Sequence, residues 1–322
     1  MQLDFWTVFG NIVMLLALGI PGYFLVKRKM VPSNAITTLI QLLLYVTLPF
    51  LVIKGFLMKE YDPSLLPNLG WALLFALIAH FLWLGMAMVI FPAKGTHQRE
   101  HRVDQFAVMF TNATFIGIPI IMSLFATHPE ALLYISMFVI VFNALMWTLG
   151  CYVLTGEKRY MNVKKIIFNP PTLALFVALP LFFFKVPIDL NGVVFKGISF
   201  LGDMTAPLSM IILGMRYADL PPLSVFMGVR TYLVSFLRLI VSPILLFFVM
   251  ILFTRDAILI STLYILAALP VAGSTVLFAE KFQGDVPESV RTNLNSTLLA
   301  ILTFPIMVMI LQALFRLFEI TF

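Results

Sequence analysis

Charged residues are scarce in this sequence. Of its 322 residues, 11% are Asp, Glu, Lys or Arg and 61% are apolar, where a soluble domain carries roughly 25% charged and about 45–50% apolar residues. So few charges cannot cover a water-facing surface, so a soluble globule is excluded and the solvent for most of the chain is lipid. A single cysteine, Cys151, excludes an intrachain disulfide and a multi-cysteine metal site. The four histidines, at 80, 97, 101 and 128, form no HExxH pair. No GxxxxGK[ST] loop occurs, so direct ATP drive finds no motif here. Composition and motifs therefore read as a non-enzyme that needs no cofactor or metal. His97 and His101 are four apart but lie in a basic connection beside Arg99 and Arg102, where a solvated loop is expected.

What is present is a series of apolar runs. They fall near residues 5–26, 33–57, 67–92, 104–125, 129–154, 168–186, 195–216, 226–253, 256–281 and 290–318, each about the 20 residues that a membrane-spanning helix needs. The sixth opens on Asn169-Pro170-Pro171 and is interrupted by Pro180. The chain is expected to be all-α, a single polytopic unit of ten transmembrane helices. Asp4 precedes the first run and Lys27-Arg28-Lys29 follows it, the reverse of a cleavable signal peptide, so this run is expected to stay as the first span.

With both termini outside, the inner connections hold Lys27, Arg28, Lys29, Lys94, Arg99, Arg102, Lys158, Arg159, Lys164, Lys165, Arg216, Arg230, Lys281 and Arg291, which is 14 of the 21 basic residues. The outer side holds Lys54, Lys59, Lys185, Lys196, Arg255 and Arg316, with Arg238 left inside a span. This bias supports outer termini and an even number of helices, and it accounts for the net charge of +6 without nucleic acid.

Internal repetition is visible at one offset. Thr47-Leu48-Pro49 and Thr205-Ala206-Pro207 lie 158 residues apart, as do Pro129-Glu130 and Pro287-Glu288. The same offset pairs His80 with Arg238, the polar residues near the middle of the third and eighth spans. Five spans per half is an odd number, so the second half must enter the membrane from the opposite face. This predicts a 5+5 inverted repeat with halves 1–156 and 157–322.

The fourth span contains Asn112-Ala113-Thr114-Phe115-Ile116-Gly117-Ile118-Pro119, in which Gly117 and Pro119 oppose a continuous helix. The 158 offset carries this window onto Pro270-Val271-Ala272-Gly273-Ser274-Thr275 in the ninth span, a second Pro/Gly break. Paired interrupted segments at corresponding positions point to a transporter binding site, because freed backbone groups in lipid must be satisfied by protein, water or ligand. A half-helix N-terminus presents N–H groups and partial positive charge, which favours an anion. Asn112, Thr114, Ser274 and Thr275 are expected to complete the site with the backbone near Gly117 and Gly273, while Pro119 and Pro270 hold the helices open. Thr47 and Thr205 flank the other proline kinks and are candidates to face substrate; threonine there also commonly bonds its own preceding carbonyl.

Three stretches resemble the auxin efflux carrier family, which includes plant auxin exporters and bacterial carriers of malonate-like acids. They are Asn112 to Pro119; Leu269-Pro270 followed by Phe278-Ala279-Glu280; and Leu302-Thr303-Phe304-Pro305. The resemblance spans the whole chain and is similar in length to the compact bacterial members, which implies a bacterial inner-membrane protein. It also implies a crossing of spans four and nine, a scaffold of spans one, two, six and seven that supports a homodimer, and elevator-like movement of the rest. Two features depart from the plant exporters: Thr275 stands where they have a second proline, and the central connection near 155–168 is short.

Ionisable residues inside spans are costly and usually face a cavity or a partner. His80 reads either as a proton-coupling group or as a histidine bonded within the bundle. Arg238 reads either as a source of attractive field for anions or as a partner of Asp203 or a carbonyl. Lys54 is expected to snorkel outward. Three functions fit the whole: secondary transport of small organic anions, mono- or dicarboxylates, coupled to H+ or Na+; sodium-coupled carriage of bile-acid-like anions, for which Glu280 is the only acidic residue near the crossover; and a non-transporting membrane receptor. The paired breaks favour the first.

Overall fold

The computed structural model describes residues 5–32, 35–59, 62–162, 164, 168–186, 188–218 and 228–321. Lys165, counted above among the inner basic residues, lies outside them. In lipid the backbone must satisfy its own polar groups, and the described residues do so almost entirely with helices. Among the described residues, seven helical stretches are long and apolar enough to cross a membrane: α1 (Val8–Lys27), α2 (Ala35–Met58), α3 (Leu65–Ile90), α6 (Glu130–Thr155), α8 (Val193–Ala218), α9 (Val229–Met250) and α12 (Val286–Leu317). Three shorter apolar helices, Ala113–Leu124 (α5), Thr172–Phe183 (the body of α7, Pro170–Phe183) and Ala257–Ala267 (α10), fall in the fourth, sixth and ninth expected segments. The polar α4 (Gln98–Met109) precedes α5, and α11 (Ser274–Lys281) follows α10.

Prolines shape these helices from within. Wide π-helical turns at Leu43–Thr47, Ala113–Gly117 and Leu237–Val241 each end two residues before a proline, namely Pro49, Pro119 and Pro243. A proline lacks the N–H and its ring crowds the carbonyl one turn earlier, and the wider turn relieves both. Pro180, by contrast, sits inside α7 without interrupting it, contrary to the interruption expected from sequence.

Helices α1 and α8 pack through Gly19, Gly22 and Gly214: a Cβ on Gly22 would overlap the Ile211 carbonyl and one on Gly214 the Gly19 carbonyl. Only glycine permits this approach, the small-residue packing typical of membrane helices. Helix α2 packs on α7 and α8. The remaining helices form a denser group, in which α3 packs on α4 and α6, α9 on α10 and α12, and α12 on α4 and α11. Residues Leu259 to Ala267 of α10 are all buried, whereas α7 and α8 expose Phe176, Phe184, Val193 and Phe200, as lipid-facing surfaces do.

Candidate functional site

Helix α4 ends at Met109 and α10 ends at Ala267, and the chain beyond each runs extended past the other. Thr111 and Val271 form an antiparallel bridge, in which the Asn112 N–H donates to the Pro270 carbonyl at 2.8 Å and the Ala272 N–H to the Phe110 carbonyl at 2.9 Å. The two breaks expected from sequence therefore meet and satisfy part of each other's backbone. Side chains take up much of the rest. Thr111 Oγ1 donates to the Leu266 carbonyl at 2.8 Å, Asn293 Nδ2 to the Val271 carbonyl at 2.8 Å, and the Val271 N–H to Ser296 Oγ at 3.1 Å.

Arg238 closes the crossing. It is fully buried on α9 and donates from Nη1 to the Val108 carbonyl at 2.9 Å and from Nη2 to the Ala267 carbonyl at 2.7 Å. These carbonyls belong to the last turns of α4 and α10, where helix ends carry unpaired acceptors and partial negative charge. The guanidinium also lies 3.9 Å over the Trp83 ring. As a hydrogen-bond donor Arg238 is therefore engaged with carbonyls and not with Asp203. Asp203 instead accepts from Lys54 Nζ through both oxygens, at 2.7 and 2.8 Å, so Lys54 is paired rather than snorkelling outward.

A cavity of about 570 Å³ lies against the crossing. Asn112, Thr114, Ala272, Gly273 and Ser274 line it on the crossing side; Phe142, Trp147 and Phe278 supply an aromatic wall; and Lys164 and Lys281 are its cations. Asn112 Nδ2 and Ser274 Oγ are buried with no hydrogen-bond partner, as is Thr275 Oγ1 just beyond. Buried polar atoms are rarely left so. The first turns of α5 and α11 begin at this point, with N–H groups that helix geometry leaves without intrahelical acceptors.

The other sequence candidates sit elsewhere. Pro119 and Pro270 shape the backbone and are not among the cavity's lining residues, and Gly117 packs so tightly that a Cβ would come within 2.8 Å of Leu266 and Leu269 methyls. Thr47 donates to the Leu43 carbonyl at 3.2 Å, and Thr205 is buried with its hydroxyl unpartnered; neither lines the cavity. His80 is fully buried, its Nδ1 2.7 Å from the Ala76 carbonyl of its own helix, in a cage of Trp83, Phe110, Phe138 and Phe142. Glu280 is exposed on α11. His97 and His101 lie on a short turn and the start of α4, not in an open loop, and engage different partners, Glu100 and the Pro92 carbonyl. Among the described residues no three His, Cys, Asp or Glu side chains are grouped to hold a metal ion.

Sequence reasoning missed Arg216. Its Nη1 donates to the Gly273 carbonyl at 2.7 Å, its guanidinium lies 5.7 Å from the Phe115 ring, and Nη2 is buried without a partner. It had been assigned to an inner connection because it closes an apolar run, and only the fold brings it to the second break. Trp147, Lys164 and Lys281 were likewise unreadable as site residues, since they come from three segments.

The fold and site define a polytopic α-helical membrane protein in which two interrupted helices cross beside a cavity. Residues 7–165 and 159–308 match the family described as membrane transport protein. The chain belongs to that family, in agreement with the auxin efflux carrier resemblance of its motifs. Among curated proteins, none matches it.

Proposed function

We propose that the protein is a secondary transporter of small organic anions, mono- or dicarboxylates, with its binding site in the cavity at the crossing. The observation that carries this is the set of unpartnered donors, Asn112 Nδ2 and Ser274 Oγ, on a cavity wall where two half-helices begin. A carboxylate there accepts from these donors and from the first-turn N–H groups, and its charge meets the positive ends of the helices. The aromatic wall of Phe142, Trp147 and Phe278 covers the substrate's apolar body, and Lys164 and Lys281 attract the anion toward the cavity.

In this reading the ten expected segments are ten spans arranged as a 5+5 inverted repeat. The reciprocal packing of α1 on α8 and α2 on α7, first span on seventh and second on sixth, supports it. Lys164 and Lys281 are both assigned to inner connections, so the cavity opens inward and the termini lie outside. The glycine-seamed group of α1, α2, α7 and α8 serves as a scaffold, the surface for a homodimer, and the denser group moves against it as an elevator in a bacterial inner membrane. A sodium-coupled carrier would need a cation site at the crossing, and Glu280 is exposed away from the lining.

Uptake of labelled carboxylates into proteoliposomes tests the proposal. Saturable uptake of at least one mono- or dicarboxylate is expected, with loss in Asn112→Ala. Binding without flux would favour a receptor, and sodium-dependent uptake confined to large amphipathic anions would favour the bile-acid-like reading.

A further inference from the structure

A second buried polar cluster lies one helical turn from the crossing. Asp104 on α4 is fully buried, and neither of its carboxylate oxygens has a hydrogen-bond partner. Arg230 Nε lies 3.3 Å from Oδ2 without hydrogen-bond alignment. The same guanidinium is drawn two other ways, onto Glu100 through Nη1 and toward Glu288 through Nη2 at 3.6 Å. Glu288 is itself buried, with Arg291 at 3.3 Å and the Thr231 hydroxyl at 3.4 Å. Three carboxylates therefore share two guanidiniums. Asp285, whose side chain accepts from the Glu288 N–H at 2.9 Å, adds a further negative charge.

Among the described residues, α9 also carries Arg238, which holds the Val108 carbonyl one turn further along, and α4 itself carries Arg99 and Arg102. Helix α3, packed on α4, carries no charged residue and only the caged His80; α6 carries only Glu130, at its far end; and α11 carries Glu280 and Lys281, both exposed. Glu100 has good partners of its own. Partial burial raises its carboxyl, but the hydrogen bond and charge of Arg230, with His97, more than offset this and hold it below the usual glutamate range. Burying a carboxylate that has no hydrogen bond and shares its guanidinium with two other acids is costly, and a buried acid in that position takes up a proton instead.

We propose that Asp104 is a proton-binding site through which anion movement is coupled to proton movement; this rests on the transport reading above. Glu100, Glu288 and Asp285 already outnumber Arg230 and Arg291, so a proton on Asp104 keeps that surplus of negative charge from growing by one in the interior. The route to water is short, because Glu100 and Arg230 are both partly exposed above the buried acid. The route to the substrate is also short. Asp104 stands one turn before Val108, whose carbonyl Arg238 holds, and Glu288 shares α12 with Asn293 and Ser296, which bind Val271. Both helices that meet at the cluster thus hold the crossing. Arg230 within the cluster repels a metal cation, which leaves the proton as the ligand.

Two measurements on the full-length purified protein test this. Infrared difference spectroscopy at neutral pH is expected to show a protonated-carboxyl band in the wild type that is lost in Asp104→Asn. In proteoliposomes holding a pH-sensitive dye, carboxylate uptake is expected to move protons in the wild type and Asp104→Glu, and Asp104→Asn to lose the proton flux and the pH dependence. A band or flux that persists in Asp104→Asn overturns the proposal. Should that variant not fold, Glu288→Gln serves: removing the neighbouring charge shifts release of the proton to lower pH, and an unshifted profile overturns the proposal. The infrared band needs no transport, so a wild type that moves no carboxylate defeats the transport reading and leaves the proton site standing.

Discussion

His80 and Arg238 stand 158 residues apart at matching places in two spans, and the structure uses them differently. His80 turns back on its own helix, bonding the Ala76 carbonyl inside an aromatic cage. Arg238 reaches across to both interrupted helices and takes the terminal carbonyl acceptors of each. One guanidinium has donors enough for both helix ends, and the ring at the partner position lies away from them, among aromatic side chains. The same offset in sequence thus marks two buried polar residues with different hydrogen-bonding partners, one within its own helix and one at the crossing.

The largest effect should come from Arg238→Leu. It leaves the Val108 and Ala267 carbonyls without their partner, at about 1–3 kcal/mol for each unpaired buried group, a large part of a typical stability of about 5–15 kcal/mol. Thermal unfolding in detergent should show a severe loss of folded protein, and a variant as stable as wild type would break the comparison. Asn112→Ala comes next but on a different axis. Its Nδ2 has no partner within the protein, so unfolding should be little changed, whereas loss of a bond to a charged ligand of about 1.5–3 kcal/mol should slow carboxylate uptake roughly tenfold or more.

Gly117→Ala should be intermediate in stability, costing about 1–3 kcal/mol, because its Cβ would meet Leu266 and Leu269 methyls at 2.8 Å. The smallest effect is expected for His80→Phe, which keeps the aromatic packing and gives up one bond worth about 1 kcal/mol. Its transport should keep the wild-type pH profile, and a flattened profile would return His80 to the coupling role that sequence alone left open.

The residues themselves disclosed the breaks, and it was the family resemblance that implied their crossing. Gly117, Pro119, Pro270 and Gly273 announce themselves through backbone chemistry, which is local, and their regions do form the crossing. Asn112 and Pro270, which the 158 offset pairs, are hydrogen-bonded to each other. The bridge exchanges Thr111 with Val271, an offset of 160. Its second break is longer, running from Ala268 to Gly273, against Phe110 to Asn112 in the first, and length differences of this kind are invisible to dipeptide matching. Arg216, Asp104 and Glu288 were not read as members of a buried site, for another reason. Each sits at the end of an apolar run, where charged residues are ordinarily solvated, and only the tertiary packing of α4, α8, α9, α11 and α12 makes them buried or brings them to the crossing.

The central claim is that the crossing binds a carboxylate. A structure of the protein with a transported carboxylate bound tests it most directly: density for the carboxyl group is predicted within hydrogen-bonding distance of Asn112 Nδ2 and Ser274 Oγ, beside the first turn of α11. Ligand density elsewhere, with Asn112 Nδ2 and Ser274 Oγ still unpartnered, would contradict the account.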